Sequence, residues 1–261
     1  MTAYILTFPA VDDVLLLAVV FIVMVMAIYT GKFTSHSRDL NRTSAESLIT
    51  GATMGLSGVM TGLIFFISFT GYQLREQAQI SEAQAVERAL LYVGILPASV
   101  QGRAEILLKA YMNERIHFFQ EDSIPAQRGW LILAEKKQWQ LWQAVSSASL
   151  KQSAPFTAST LHVYSNLGQT LQQTSAVWRR QIPDPIWLIV IVTTMASCFL
   201  VGQQISEKHN YSHFLLLILP LLTATALFMA AEMDIPGQGI IHVMPDALER
   251  QEMLLTLKVG G

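Results

Sequence analysis

His209 and His213 stand four residues apart, the spacing that puts two imidazoles on one helical face toward a metal ion. No carboxylate ladder or third ligand accompanies them, and His36, His117, His162 and His242 are scattered, so no metal site is expected. Serine, histidine and aspartate all occur. No nucleophile elbow, phosphate-binding loop or pair of catalytic carboxylates is formed from them. An enzyme is therefore the least favoured class, and no cofactor is called for. The single cysteine, Cys198, lies in an apolar run and cannot make an intrachain disulfide. A net charge of −2, with no run of Lys or Arg longer than two, argues against nucleic acid as a partner.

A different pattern stands out between residues 51 and 76. At roughly 100° per residue, Gly51, Gly55, Gly58 and Gly62 fall on one narrow helical stripe that contains two GxxxG spacings. The stripe continues through Phe65 and Phe69, with Phe66 beside it, and then through Gln73 and Glu76. Glycine is costly inside a helix, so four on one face need a cause. One cause is a helix–helix seam, within a subunit or between subunits, and packing makes this the commoner one. The other is a pore wall of small residues, with Ser57 and Thr61 nearby, that narrows to an aromatic constriction and ends in a polar exit.

The elements that carry this stripe are apolar. Of the residues, 52% are hydrophobic and 14% charged, against about one-quarter charged in soluble domains. Four windows have no charge: Val14 to Gly31, Ser47 to Leu74, Ile186 to Ser206, and Asn210 to Ala231, of 18, 28, 21 and 22 residues. About 20 apolar residues in a helix cross the roughly 30 Å bilayer core, so four spans are expected. The N-terminus has two acids and no basic region before the first window, so the first span reads as retained rather than cleaved. None of the four spans has a charge in its middle, which weakens ion-coupled transport and leaves passive conduction open.

The fold class predicted is all-α, a polytopic membrane protein with a helical extramembrane domain between spans two and three. Residues 1–71 would hold the first two helices, 72–185 the hydrophilic domain, 186–231 the last two spans and 232–261 a tail. The second helix meets no breaker from about Ser47 to Pro97, so one long helix, or two nearly collinear ones, should leave the bilayer into water. Further helices are expected over roughly Ser99 to Gln120, Gln127 to Leu150 and Thr157 to Arg180, with Trp130, Trp139 and Trp142 as packing groups. Trp178, Arg179, Arg180 and Trp187 mark the return to a membrane interface. Pro220 should bend the last span, and Asp234 reads as a turn former capping nearby amides. Near the spans, five basic residues on the domain side (Arg75, Arg88, Arg179, Arg180, Arg250) face four in the links (Lys32, Arg38, Arg42, Lys208). This places the domain and both termini in the cytoplasm of a cell with an inner membrane.

The order of these features resembles the bestrophin-like domain family of bacterial membrane proteins, over roughly residues 45 to 250. The resemblance is carried by Glu82 in EAQAVERALLYVGILP, which ends on Pro97, and by Arg103, Tyr111 and Arg115 at the expected spacing. Gln84 stands where the family usually has asparagine. Arg180, Pro183 and Trp187 match the entry to the third span, and Asp234, Pro236 and Gly239 the Asp-x-Pro-x-x-Gly tail, followed by Pro245. The family takes its name from bestrophins, pentameric anion channels whose second helix lines the pore with an aromatic neck. The resemblance thus implies a homo-oligomer in a lipid bilayer, small anions as permeant partners, and Phe65, Phe66 and Phe69 as neck residues. The alternative is a membrane-anchored scaffold or sensor acting through the hydrophilic domain.

Overall fold

The computed structural model describes residues 13–35, 44–121, 123–150, 152–204, 213–236 and 243–259. Gly239, His36, His209, His242 and the link residues Arg38, Arg42 and Lys208 lie outside them. The described chain is helical without strands. Its helices are α1 (Asp13–Ser35), α2 (Ser44–Val93), α3 (Ala98–Gln120), α4 (Ile124–Ser149), α5 (Ala154–Trp178), α6 (Asp184–Gln204), α7 (His213–Asp234) and α8 (Asp246–Val259). Four of them, α1, α2, α6 and α7, are long and apolar enough to cross a membrane.

The prolines set the breaks. Pro97 lacks an N–H and ends α2, and its carbonyl accepts the first N–H groups of α3, from Val100 and Gln101 at 2.9 and 3.2 Å. Pro125 and Pro155 occupy the first turn of α4 and α5, where a missing donor costs nothing. Pro220 remains inside α7. The tail carries a further helix. After Pro245 the chain forms α8, with Asp246 and Glu249 in its first turn, where carboxylates complement the helix dipole.

Contacts divide the chain into two compact units. The first holds α1, α2 up to Thr70, α6 and α7. Here α1 and α6 run in parallel, with Met24 beside Cys198, Ile28 beside Gly202 and Thr34 beside Gln203. Their crossing is a reciprocal glycine contact. A methyl group on Gly31 would land on the Phe199 carbonyl oxygen and 3.1 Å from the Gln203 nitrogen. One on Gly202 would land on the Ile28 carbonyl oxygen and 3.0 Å from its Cα. Two backbones meet there, as they can only where both helices carry glycine.

Against α6, α2 runs antiparallel along a polar seam. The Ser57 hydroxyl donates to Thr194 Oγ1 at 3.4 Å, Ser197 Oγ to the Thr53 carbonyl at 3.0 Å and Gln204 Nε2 to the Glu46 carbonyl at 3.4 Å. Inside lipid such hydroxyls need partners, and Thr193, Thr194, Thr223 and Thr225 also donate back to the carbonyl four residues earlier.

The second unit holds α2 from Gly71 with α3, α4, α5 and α8. Its core joins Ala83, Ala85, Val86, Ala89 and Val93 of α2 to Leu108 and Met112 of α3, Leu131, Leu141 and Val145 of α4, Leu167 and Leu171 of α5, and Leu248 of α8. The small alanines let α5 lie close along α2. Tyr164 Oη donates to the Ala89 carbonyl at 3.0 Å and Thr174 Oγ1 to the Ala78 carbonyl at 3.2 Å, again an antiparallel pairing. Trp130 and Trp142 pack against this core as expected, but Trp139 is exposed.

Candidate functional site

Within the first unit α2 shows three faces. Thr50, Ser57, Thr61, Ile64 and Ser68 are buried. That places Ser57 on the seam toward α6 and Thr61 on the same buried side, away from the exposed glycine face. Leu56, Val59, Leu63 and Ile67 form an exposed aliphatic face, as suits lipid or a packed neighbour. The third face carries Gly51, Gly55, Gly58 and Gly62, followed by Phe65, Phe66 and Phe69, all exposed. A Cβ added at any of the four glycines would meet nothing within 4 Å. Among the described residues the glycine stripe is therefore not a seam; the glycine seam found in this unit is the Gly31–Gly202 crossing.

Within the second unit the buried polar centre joins three residues 29 and 33 positions apart. The Glu82 carboxylate receives the Tyr111 hydroxyl at 2.5 Å and, on two oxygens, Arg115 Nε at 2.6 Å and Nη2 at 2.8 Å. All three side chains are fully buried. The guanidinium also lies 4.4 and 4.8 Å from the ring centres of Phe118 and Phe119, whose faces favour a cation. Burial alone would lower the Arg115 pKa. The adjacent Glu82 charge and its hydrogen bonds more than offset that, so the cation is held more firmly than in water. Burial, reinforced by the neighbouring Glu82 charge, pushes Tyr111 well above the ordinary tyrosine range. The bidentate pair leaves one guanidinium nitrogen, Nη1, buried without a hydrogen-bond partner among the described residues, and it presents no nucleophile or free acid. It clamps α3 to the lower half of α2.

Burial also raises Tyr164. Both tyrosines therefore stay protonated in the fold while they would ionise near pH 10 in the unfolded chain. The sign follows directly. Their contribution is fully present below about pH 10 and falls as pH rises above it, because the unfolded state then loses protons the folded state keeps. Denaturation of the purified protein followed from pH 8 to pH 11 should show stability dropping at the alkaline end, with a smaller drop in Tyr111→Phe. An equal drop in that variant would contradict the assignment.

Asp234 is buried and its two carboxylate oxygens accept the Ile182 N–H at 3.0 and 3.2 Å. It accepts an amide 52 positions away in sequence, a long-range partner that the run MDIPG does not reveal. Next to that amide, the Pro183 carbonyl accepts the Ile186 N–H at 2.9 Å and starts α6. Trp187 packs on the cluster of Ile64, Ile182 and Leu227. Arg180 is exposed, and its carbonyl receives Arg75 Nη2 at 2.8 Å just past the end of α5. Arg103 is exposed on α3, Pro97 caps that helix and Pro236 follows α7. Sequence reasoning named Glu82, Tyr111 and Arg115 without a role. The available signal was charge on apolar faces: Glu82 among Ala83, Ala85 and Val86, and Arg115 between Met112 and Phe119.

Among the described residues no group of three or more His, Cys, Asp or Glu could hold a metal ion. No curated protein matches the chain. Solved structures do. A variant of a bacterial bestrophin homologue from Klebsiella pneumoniae superposes with a TM-score of 0.73 at 14% identity, over 97% of this chain and 100% of that one. A second variant of it gives 0.66 at 16%, over 96% and 100%. At such identity these structures speak for the fold: four apolar spans and a helical hydrophilic unit. The model of the bestrophin-like domain matches residues 16–248, nearly the whole chain, and the protein belongs to that family of membrane proteins.

Proposed function

We propose that the protein is a homo-oligomeric ion channel of a bacterial inner membrane, with the α2 helices around the axis and the hydrophilic unit and both termini in the cytoplasm. The observation that carries this reading is the open glycine–phenylalanine face of α2. Each glycine inside a helix costs about 1 kcal/mol relative to alanine. Among the described residues nothing lies within 4 Å of a Cβ added at any of these four. A face turned to lipid would be aliphatic, like the Leu56–Leu63 face on the same helix. Small residues above three phenylalanines suit a narrow lumen that closes on an apolar neck and gates by dewetting. Small anions are the permeant class that kinship with bestrophins supports.

Reconstituted in liposomes, the protein should pass chloride down its gradient. Phe65→Ala with Phe69→Ala should raise the flux several-fold by widening the neck. An oligomer that passes no ion, or a flux indifferent to these substitutions, would favour the scaffold acting through the hydrophilic unit. A monomer with no flux would sink the channel.

A further inference from the structure

Two exposed stripes of the hydrophilic unit share a pattern and oppose each other in charge. Below Gly71, the solvent face of α2 carries Glu76, Ile80, Glu87 and Leu91, with Leu91 67% exposed. The solvent face of α4 carries Arg128, Ile132, Lys136 and Trp139, with Ile132 63% and Trp139 57% exposed. Both rows alternate a charge with a large apolar side chain at helical spacing, one acidic and one basic. A solvated face of this unit looks different: that of α5 presents Gln169, Gln172 and Gln173. Large apolar groups held among like charges mark a surface that is covered in the working state.

Each stripe lies opposite the buried side of its helix, Val86 and Ala89 on α2 and Ala134 and Leu141 on α4, and those buried sides belong to one core. Both stripes therefore point outward, and one copy cannot close one upon the other. We infer that the acidic stripe of α2 docks on the basic stripe of α4 in the next copy of the chain. This deepens the homo-oligomer reading above and rests on it. The contact is head-to-tail, so every copy offers one stripe and receives the other, and the set is satisfied only when a ring closes. A lumen-facing glycine stripe higher on α2 is compatible. A helix inclined to an axis shows a given face to that axis only near closest approach, and farther along the same face turns to its neighbour.

The full-length protein with Cys198→Ser, Leu91→Cys and Trp139→Cys, oxidised in membranes, should give covalent multimers on a non-reducing gel. Neither Leu91→Cys nor Trp139→Cys alone should do so, because the contact joins unlike stripes. Independently, Glu76→Lys with Glu87→Lys should lower the oligomeric fraction by about tenfold or more, and so should Arg128→Glu with Lys136→Glu, since like charges across a contact repel strongly. Combining all four reversals should restore assembly. An oligomeric parent protein that neither crosslinks nor responds to charge reversal overturns the docking and leaves the oligomer standing. So do single-cysteine crosslinks, or a fourfold variant that fails to reassemble. A parent protein that is monomeric overturns the homo-oligomer reading itself.

Discussion

Arg115→Ala should cost the hydrophilic unit roughly 3–5 kcal/mol, the range for removing one member of a buried ion pair and leaving the other charge without it. The Glu82 carboxyl would be left in a site with no solvent, with only the Tyr111 hydroxyl remaining to it. That is a large part of the stability of an ordinary domain. Denaturant unfolding, followed by tryptophan fluorescence, should show the midpoint falling sharply, with low recovery of folded protein. Removing the charges together is the informative control. Glu82→Leu with Arg115→Met and Tyr111→Phe leaves no orphaned group, and such replacements are often neutral or stabilising. A cost below about 1 kcal/mol for Arg115→Ala would mean water reaches the pair, contrary to its complete burial. A triple variant as damaged as the single would mean that the geometry of the clamp, and not its charge balance, holds α3 against α2.

Gly202→Leu should disrupt the first unit at least as severely. Ordinary overpacking costs about 1–3 kcal/mol because neighbours shift to make room. Here the obstacle is the Ile28 backbone of α1, which can yield only if the two helices separate. Gly31→Leu should do the same against Phe199. Thermal unfolding in detergent, or proteolysis of the reconstituted protein, would register the loss. Gly55→Ala supplies the contrast. Its Cβ meets nothing within 4 Å, so the change should be harmless or stabilise the helix by up to about 1 kcal/mol. If Gly55→Ala instead destroys the assembly, a neighbouring backbone sits on that face and the stripe is a seam between copies rather than a lumen wall.

Much of the fold is legible from local signals. Charge-free windows give the four spans, and Pro97, Pro155 and Pro183 give breaks within a residue or two of their structural places. The unbroken run from Ser47 to Leu96 allows one long helix or two nearly collinear ones; the structure has one, α2, which ends at Val93, before the proline. The α8 helix was missed because its apolar run, Met253 to Leu257, is short and follows a glycine- and proline-rich stretch, although Pro245 and Asp246 announce a helix start. The partners of Glu82 and of the glycines were not legible for a different reason. Spacing along one helix shows which residues share a face, but not what that face meets. Gly31 and Gly202 are isolated glycines in separate runs, yet they make the close crossing. The four glycines of α2 show the repeat associated with crossings, yet a Cβ on any of them would meet nothing among the described residues.

The continuity of α2 has a consequence for how this chain can change length. Between Phe69 and Glu82 the α2 helix has no turn to absorb an insertion, so residue count alone sets the angle between one position along it and the next. One added residue would turn the upper face by roughly 100° relative to the lower and lengthen the rod by about 1.5 Å. Substitution is open to this stretch, but gain or loss is restricted to near-whole turns, about seven residues at a time. Length variation among descendants of this chain should therefore spare the middle of α2.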